Sequence, residues 1–100
     1  MKRIKLMPDY ECYCLWDMDD PHNIDPNSLP VSDVLKSEIE GWENIYDQSL
    51  NLSDPMKSGI KPCEMASFEE KGQKIFEALK RELPEYCFYY FSVSTGELIM

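Results

Sequence analysis

The residue types that most often carry chemistry cluster near the start of this chain. Asp17, Asp19 and Asp20 stand close together and are followed by His22, the single histidine. Clustered aspartates are typical of calcium loops such as the EF-hand. Here, however, Pro21 and His22 replace the fifth ligand and the turn glycine, and no glutamate stands at the twelfth position. The spacing therefore does not predict a calcium site.

Nucleophilic catalysis is also poorly supported by the residues present. It needs a nucleophile, a base and a group that orients the base, and His22 lies among prolines and aspartates. Cys12, Cys14, Cys63 and Cys87 show no C-x-x-C spacing, and free cysteine usually behaves as a small buried hydrophobe. We expect four reduced thiols, no metal, no cofactor and no catalytic residue. An enzyme remains the weakest of the functional alternatives.

The acidic residues are concentrated in one part of the sequence. The net charge is −9, and residues 9–47 contain eleven acids but only one base, Lys36. The remaining residues carry nine bases and eight acids, so the excess is regional. Acids packed this densely repel one another unless something offsets them, and a basic partner is one such offset. The alternative is a solvated face that serves only solubility.

Composition excludes several classes of protein. One hundred residues with 43% hydrophobic and 12% aromatic residues predict a single folded domain, residues 1–100, rather than a disordered acidic tail. No apolar run is long enough to span a membrane, and no secretory signal is recognisable at the N-terminus, so the predicted location is the cytoplasm. An acidic chain repels phosphates, which argues against nucleic-acid binding.

Two segments have the apolar periodicity of helices. In residues 32–50 the apolar positions recur at steps of three and four, Ser32 is a suitable N-cap, and Gly41 is a weak point in the helix interior. A second helix is predicted to begin at Ser67, which forms a capping box with Glu70, and to stop at Pro84.

The remaining elements are strands and loops. Residues 2–7 predict a first strand, 10–16 a second extended segment, and the aromatic run 86–93 the strongest strand, with 97–100 folding back as a short edge strand. Residues 17–31 contain three prolines and are predicted to be a loop, as are residues 51–66. The predicted fold is α+β, a small sheet packed against two amphipathic helices.

Of the functions considered, binding of a partner is the one that the predicted elements support best. Tryptophan beside charged residues is typical of an interaction hot spot, and Trp16 leads directly into the acidic loop. The acids of that loop and of the polar face of the first helix complete the candidate set. We predict that a partner binds at Trp16, Asp17, Asp19, Asp20, Asp25, Glu40, Glu43 and Asp47.

Several stretches resemble one family of small acidic bacterial proteins. They are KRIKLMPDYECYCLW, NIDPNSLPVSDVL, YDQSLNLSDPMKSG and YYFS. The resemblance covers roughly residues 2–60 and 86–92 and departs from the family pattern at Cys14 and His22. Some members are similar to immunity proteins of contact-dependent growth inhibition and related polymorphic toxin systems. The resemblance implies a cytosolic complex with a cognate toxin domain, commonly a nuclease, and no catalytic residue.

Charge and resemblance lead to one leading hypothesis. Nuclease domains bind polyanions and therefore have basic clefts, which an acidic inhibitor can occupy. We predict a cytoplasmic immunity protein that neutralises a basic toxin domain, an RNase or DNase, with no nucleic acid or membrane as partner. The alternative is an acidic housekeeping accessory or adaptor protein with no toxin partner, whose acidity serves solubility.

Overall fold

A five-stranded sheet and two long helices make up the fold. The computed structural model describes residues 2–10, 12–19, 22–49 and 59–99. The strands are β1 (Arg3–Leu6), β2 (Leu15–Asp17), β3 (His22–Ile24), β4 (Cys87–Phe91) and β5 (Leu98–Ile99). The helices are α1 (Asp33–Gln48) and α2 (Pro62–Glu82), and a short 3-10 helix spans Pro26–Ser28. The predicted α+β class is confirmed.

The sheet is mixed, with the strand order β3-β2-β1-β4-β5. β1 is its centre and pairs in parallel with β4, where Ile4 faces Phe88, while its other neighbour β2 is antiparallel. The parallel pair requires a long crossover, which the chain makes with α1 and α2. The predicted C-terminal edge strand is confirmed as β5, which pairs with the end of β4; Met100 lies outside the described residues.

The core lies between one face of the sheet and the two helices. Ile4, Leu6, Phe88 and Tyr90 alternate with more exposed neighbours along β1 and β4, as strand geometry requires, and they pack against the apolar stripes of the helices. Six residues that the sequence predicts to be buried are at most 3% exposed. They are Leu35, Ile39, Trp42, Ile75, Leu79 and Phe88.

Helix α1 begins and ends close to its predicted bounds. The Ser32 hydroxyl accepts a hydrogen bond from the Leu35 amide at 3.2 Å, which satisfies one of the free amides of the first turn. The same serine is tied to the end of α2, because its amide and hydroxyl donate to the Glu82 carboxylate at 2.7 and 2.9 Å. The N-cap therefore fixes both the start of α1 and its position beside α2.

The predicted start of α2 at Ser67 is wrong. The helix begins at Pro62, five residues earlier, with Lys61 as its N-cap residue. Proline is well suited to the first helical position because its missing amide would be unpaired there in any case. Ser67 and Glu70 therefore lie inside the helix, and residues 62–66 of the predicted loop are helical. Residues 51–58 of that loop, and residue 50 at the end of the first predicted helix, lie outside the described part of the chain.

Two predictions for the first third of the chain are also wrong in part. The second extended segment was predicted at residues 10–16, but strand pairing begins only at Leu15. The predicted loop 17–31 contains β3 and the 3-10 helix. Prolines exclude a central strand, yet a three-residue edge strand fits between Pro21 and Pro26, because one side of an edge strand needs no ladder hydrogen bonds.

Gly72 allows a close approach between α2 and its neighbours. A Cβ at this position would lie 2.7 Å from Cζ2 of Trp42 and 2.7 Å from Oη of Tyr90. Trp42 in turn stacks on Phe68 and donates its indole N–H to the Phe68 carbonyl oxygen at 3.0 Å. Glycine at this point therefore lets the buried indole and phenol pack directly against the α2 backbone.

Candidate functional site

An open groove of about 760 Å³ lies between α1 and the β3 edge of the sheet. Five carboxylates and one lysine contribute to its lining, so its charge is strongly negative. We call it the acidic groove. Its charged residues are Asp25, Asp33, Lys36, Glu40, Glu43 and Asp47, and its other lining residues include Cys12, Tyr13, Asn23, Pro26, Asn27, Ser37 and Asn44.

The α1 wall of the acidic groove follows from helical spacing. Asp33, Glu40, Glu43 and Asp47 are separated by seven, three and four residues, so they lie along one side of the helix. The apolar stripe of Leu35, Ile39 and Trp42 lies beside them and holds α1 against the sheet. Because that stripe is buried, the acids are displayed in a row along α1, in which each turn advances by about 5.4 Å along the helix axis.

The opposite wall is held by side-chain hydrogen bonds to the backbone. Asn23 accepts from the Tyr13 amide at 2.8 Å and donates to the Tyr13 carbonyl oxygen at 2.7 Å, which fixes the segment before β2 against β3. Asp25 caps the 3-10 helix by accepting from the Asn27 amide at 2.9 Å. The negative charge of Asp25 also raises the pKa of the Tyr13 hydroxyl, so the phenol stays a neutral hydrogen-bonding group beside the acids.

Glu43 is the acid that joins the two walls. Its carboxylate accepts a hydrogen bond from the Cys14 amide at 2.7 Å, across the space between α1 and the start of β2. Partial burial raises the pKa of Glu43, and the charges of Asp47 and Glu40 raise it further, whereas the hydrogen bonds from Cys14 oppose the rise. Glu43 therefore has a structural part in shaping the groove besides contributing charge.

Three other residues of the predicted set lie outside the groove lining. Asp17 is only 7% exposed, accepts from the Asp19 amide at 2.9 Å, and lies 3.5 Å from the Lys2 ammonium. Asp19 pairs with the Arg3 guanidinium at 2.6 Å, which lowers the pKa of that carboxyl. Both carboxylates are engaged in holding the turn after β2.

Trp16 lies on the other face of the sheet from the core. It alternates with the buried Leu15 and Asp17 along β2, and its indole N–H donates to the Met7 carbonyl oxygen at 3.0 Å. The structure thus brings Asp25, Glu40, Glu43 and Asp47 together and separates Trp16, Asp17 and Asp19 from them. Asp20 lies outside the described residues.

A match over nearly the whole chain identifies the family of this protein. A family model described as Serratia CdiI immunity protein-like matches residues 2–93. The chain belongs to that family. The match includes both walls of the acidic groove and confirms the resemblance to contact-dependent growth inhibition immunity proteins. Immunity proteins of this kind are generally not enzymes. No curated protein matches the chain.

In this CdiI-like chain the sequence prediction missed nine of the thirteen residues that line the groove, among them Asp33, Lys36 and Tyr13. Asp33 and Lys36 share a helix side with Glu40 and Glu43, so helical spacing alone was a sufficient signal for them. Tyr13 is 44% exposed and reaches the groove from the segment before β2. Its place depends on the Asn23 hydrogen bonds, and no local sequence pattern encodes that contact.

The described residues also bear on metal binding and membrane insertion. Within residues 2–10, 12–19, 22–49 and 59–99, no group of three or more histidine, cysteine, aspartate or glutamate side chains is arranged to hold a metal ion. Over the same ranges, neither helix combines the length and apolarity needed to cross a membrane.

Two substitutions of Glu43 separate the effect of its charge from the effect of its hydrogen bond. We expect Glu43→Ala to lower the free energy of unfolding by about 1–3 kcal/mol, because the partly buried Cys14 amide loses its acceptor. Glu43→Gln keeps an acceptor and should cost less at every pH. Because the folded-state pKa of Glu43 is raised, its stabilising contribution is present at low pH and is lost as pH rises through that pKa.

The measurement is chemical denaturation of wild type and both variants between about pH 4 and pH 7. The stability of Glu43→Gln relative to wild type should increase as pH rises over that range, while Glu43→Ala stays below Glu43→Gln throughout. A constant difference between Glu43→Gln and wild type would show that Glu43 titrates normally in the folded chain.

Proposed function

We propose that this chain is a non-catalytic, cytoplasmic immunity protein that binds a basic toxin domain through the acidic groove. The observation that carries the proposal is the lining of one groove by five carboxylates in a member of the CdiI-like family. Four of these acids lie on α1, and the fifth, Asp25, is the N-cap of the 3-10 helix, so hydrogen-bonded elements present all five. A preorganised charged surface binds with a smaller ordering cost than a flexible one.

The chemistry of the groove supports a nuclease as the toxin. A nuclease must attract a polyanion and therefore presents lysine and arginine around its catalytic cleft. Carboxylates on one side of a helix offer such a cleft negatively charged oxygens in a regular row, in place of phosphates. Asn27, Asn44 and the Tyr13 hydroxyl add neutral hydrogen-bonding groups among the charges, and their oxygens can accept hydrogen bonds from arginine without adding repulsion.

Charge also favours fast association of the two proteins. A field of one sign steers an oppositely charged partner and raises the association rate, with a strong dependence on ionic strength. An immunity protein must bind its toxin before the toxin reaches its substrate, so a fast association rate has a clear use. Salt should accordingly slow association much more than it speeds dissociation.

The test uses the cognate toxin domain, which the proposal expects in the open reading frame upstream of the gene for this chain. The purified domain is assayed on RNA and on DNA while this chain is added in increasing amounts. We expect nuclease activity to fall to zero at a fixed stoichiometry and the complex to elute as one species in gel filtration. Failure of the toxin domain to bind, or full activity within a stable complex, would overturn the proposal.

A further inference from the structure

A second groove lies on the other side of α1, where α1 packs beside α2. It has a volume of about 370 Å³ and is lined by Gly41, Trp42, Ile45 and Ile75, with Glu38, Lys71 and Lys74 also contributing. We call it the apolar groove. Its lining is mainly nonpolar, in contrast to the acidic groove, although the two share α1. A volume of this size has room for one large apolar side chain.

Gly41 is the unusual residue of this groove. It stands in the interior of α1, where glycine is less favourable than alanine by about 0.5–1 kcal/mol. The part of the fold that the structure describes gives no reason for it. Gly41 is not among the glycines with positive φ, it is exposed, and a Cβ built on it would meet no atom of the described residues within 4 Å.

Gly72 shows what a glycine required by packing looks like in the same molecule. A Cβ at Gly72 would lie 2.7 Å from the side chains of Trp42 and Tyr90, so the fold itself requires its small size. Gly41 faces open space next to the same tryptophan. Its small size keeps the apolar groove deep, and no side chain of the described residues, 2–10, 12–19, 22–49 and 59–99, comes within 4 Å of a Cβ built there.

We propose that the apolar groove receives one apolar side chain of the toxin domain, and that Gly41 forms the floor on which this side chain rests. The inference rests on the proposed function and adds an anchor to it. Both grooves border the exposed side of α1, Glu40 in one and Gly41 in the other, so one partner docked on α1 covers both.

The rim of the apolar groove indicates what accompanies the inserted side chain. Lys71 and Lys74 lie on the α2 side, with Lys74 held 3.2 Å from Glu70, and Glu38 lies on the α1 side. An apolar side chain with an acidic neighbour toward α2 therefore fits this rim better than one surrounded by bases. The basic part of the toxin belongs over the acidic groove, and its apolar anchor over Gly41.

If Gly41 forms the floor of the apolar groove, substitutions at this position should raise the stability of the free chain and lower its affinity for the toxin domain. Gly41→Ala should raise the melting temperature of the free chain by about 2–8 °C, since helix propensity improves and nothing clashes. Gly41→Leu should also be stable, because leucine is a good helix former that covers the apolar lining. Both should weaken toxin binding, Gly41→Leu by about tenfold or more, mainly through faster dissociation.

Val34→Ala is the matched control. Val34 is 70% exposed on α1 and lines neither groove, so this change improves helix propensity without filling the apolar groove. It should raise the melting temperature slightly and leave the affinity for the toxin domain unchanged. A fall in affinity for Val34→Ala equal to that of Gly41→Leu would show that the loss does not depend on filling the apolar groove, and would overturn the proposal.

The experiment measures melting temperatures of the free variants and surface-plasmon kinetics with the toxin domain. Unchanged affinity of Gly41→Leu overturns the inference, and so does a lower melting temperature of Gly41→Ala, because glycine would then serve the fold. Weaker binding by Gly41→Leu with unchanged binding by acidic-groove variants supports the anchor and removes the acidic groove from the interface. If wild type fails to bind the toxin domain, the proposed function fails and the anchor with it.

Discussion

Reversing two charges of the acidic groove should weaken toxin binding by about 100-fold or more at low salt, since close interfacial charge pairs contribute several kcal/mol. The variant is Glu40→Lys with Asp47→Lys, which leaves the Glu43 link to Cys14 intact. Both residues line the groove beside other acids, so each new lysine replaces an attraction to the toxin with a repulsion. The loss should shrink as ionic strength rises, because salt screens exposed charges.

The control for this variant is Glu85→Lys with Glu97→Lys, two exposed acids outside both grooves. It changes the net charge by the same amount but leaves the acidic groove untouched, so most of the affinity should remain. Melting temperatures of both variants should match or exceed that of wild type, because fewer like charges repel one another. Equal losses in the two variants would show that overall charge, and not the groove, attracts the toxin.

Leu79→Ala should lower the free energy of unfolding by about 2–5 kcal/mol, as expected for a buried leucine. Leu79 is 0% exposed and belongs to the core between α2 and the sheet. A domain of this size has a total stability of about 5–15 kcal/mol, so the substitution removes a large fraction of it. Urea denaturation, with the slope compared to that of wild type, measures the change.

Glu77→Ala is the control for the core substitution. Glu77 lies on the same helix, with its side chain 63% exposed and 3.4 Å from the Lys80 ammonium. Surface changes of this kind alter stability by less than about 0.5 kcal/mol. A loss for Leu79→Ala as small as that of Glu77→Ala would mean that α2 does not pack on the sheet through Leu79.

Long periodic elements are predictable from the sequence because they carry their own signals. The stripe of Leu35, Ile39 and Trp42 and the cap at Ser32 are local features, and α1 has nearly the predicted bounds. β3 is different, because its three residues are a strand only through pairing with β2. The capping-box pattern at Ser67 was a local signal overridden by Pro62, which starts α2 one and a half turns earlier.

Some features of the candidate site are likewise predictable from local sequence, whereas others depend on how the strands pair. The row of acids on α1 follows from helical spacing, so Glu40, Glu43 and Asp47 share a groove as that spacing implies. Trp16 and Asp17 adjoin one another in sequence, yet strand alternation puts them on opposite faces of the sheet. Register and strand order decide which acids meet α1, and neither can be derived from residues 9–25 alone. That these residues bind a partner stays a prediction.

Amide hydrogen exchange, measured on this chain alone and in its complex with the toxin domain, tests whether the acidic groove is the interface. Each segment of this chain is compared with and without toxin, so the interface is located without any substitution. We expect slower exchange in the complex over residues 22–27 and 33–47, the two walls of the acidic groove, and no change in β4 and β5. Slower exchange confined to β4 and β5, with residues 22–27 and 33–47 unaffected, would show that the toxin does not bind at the acidic groove.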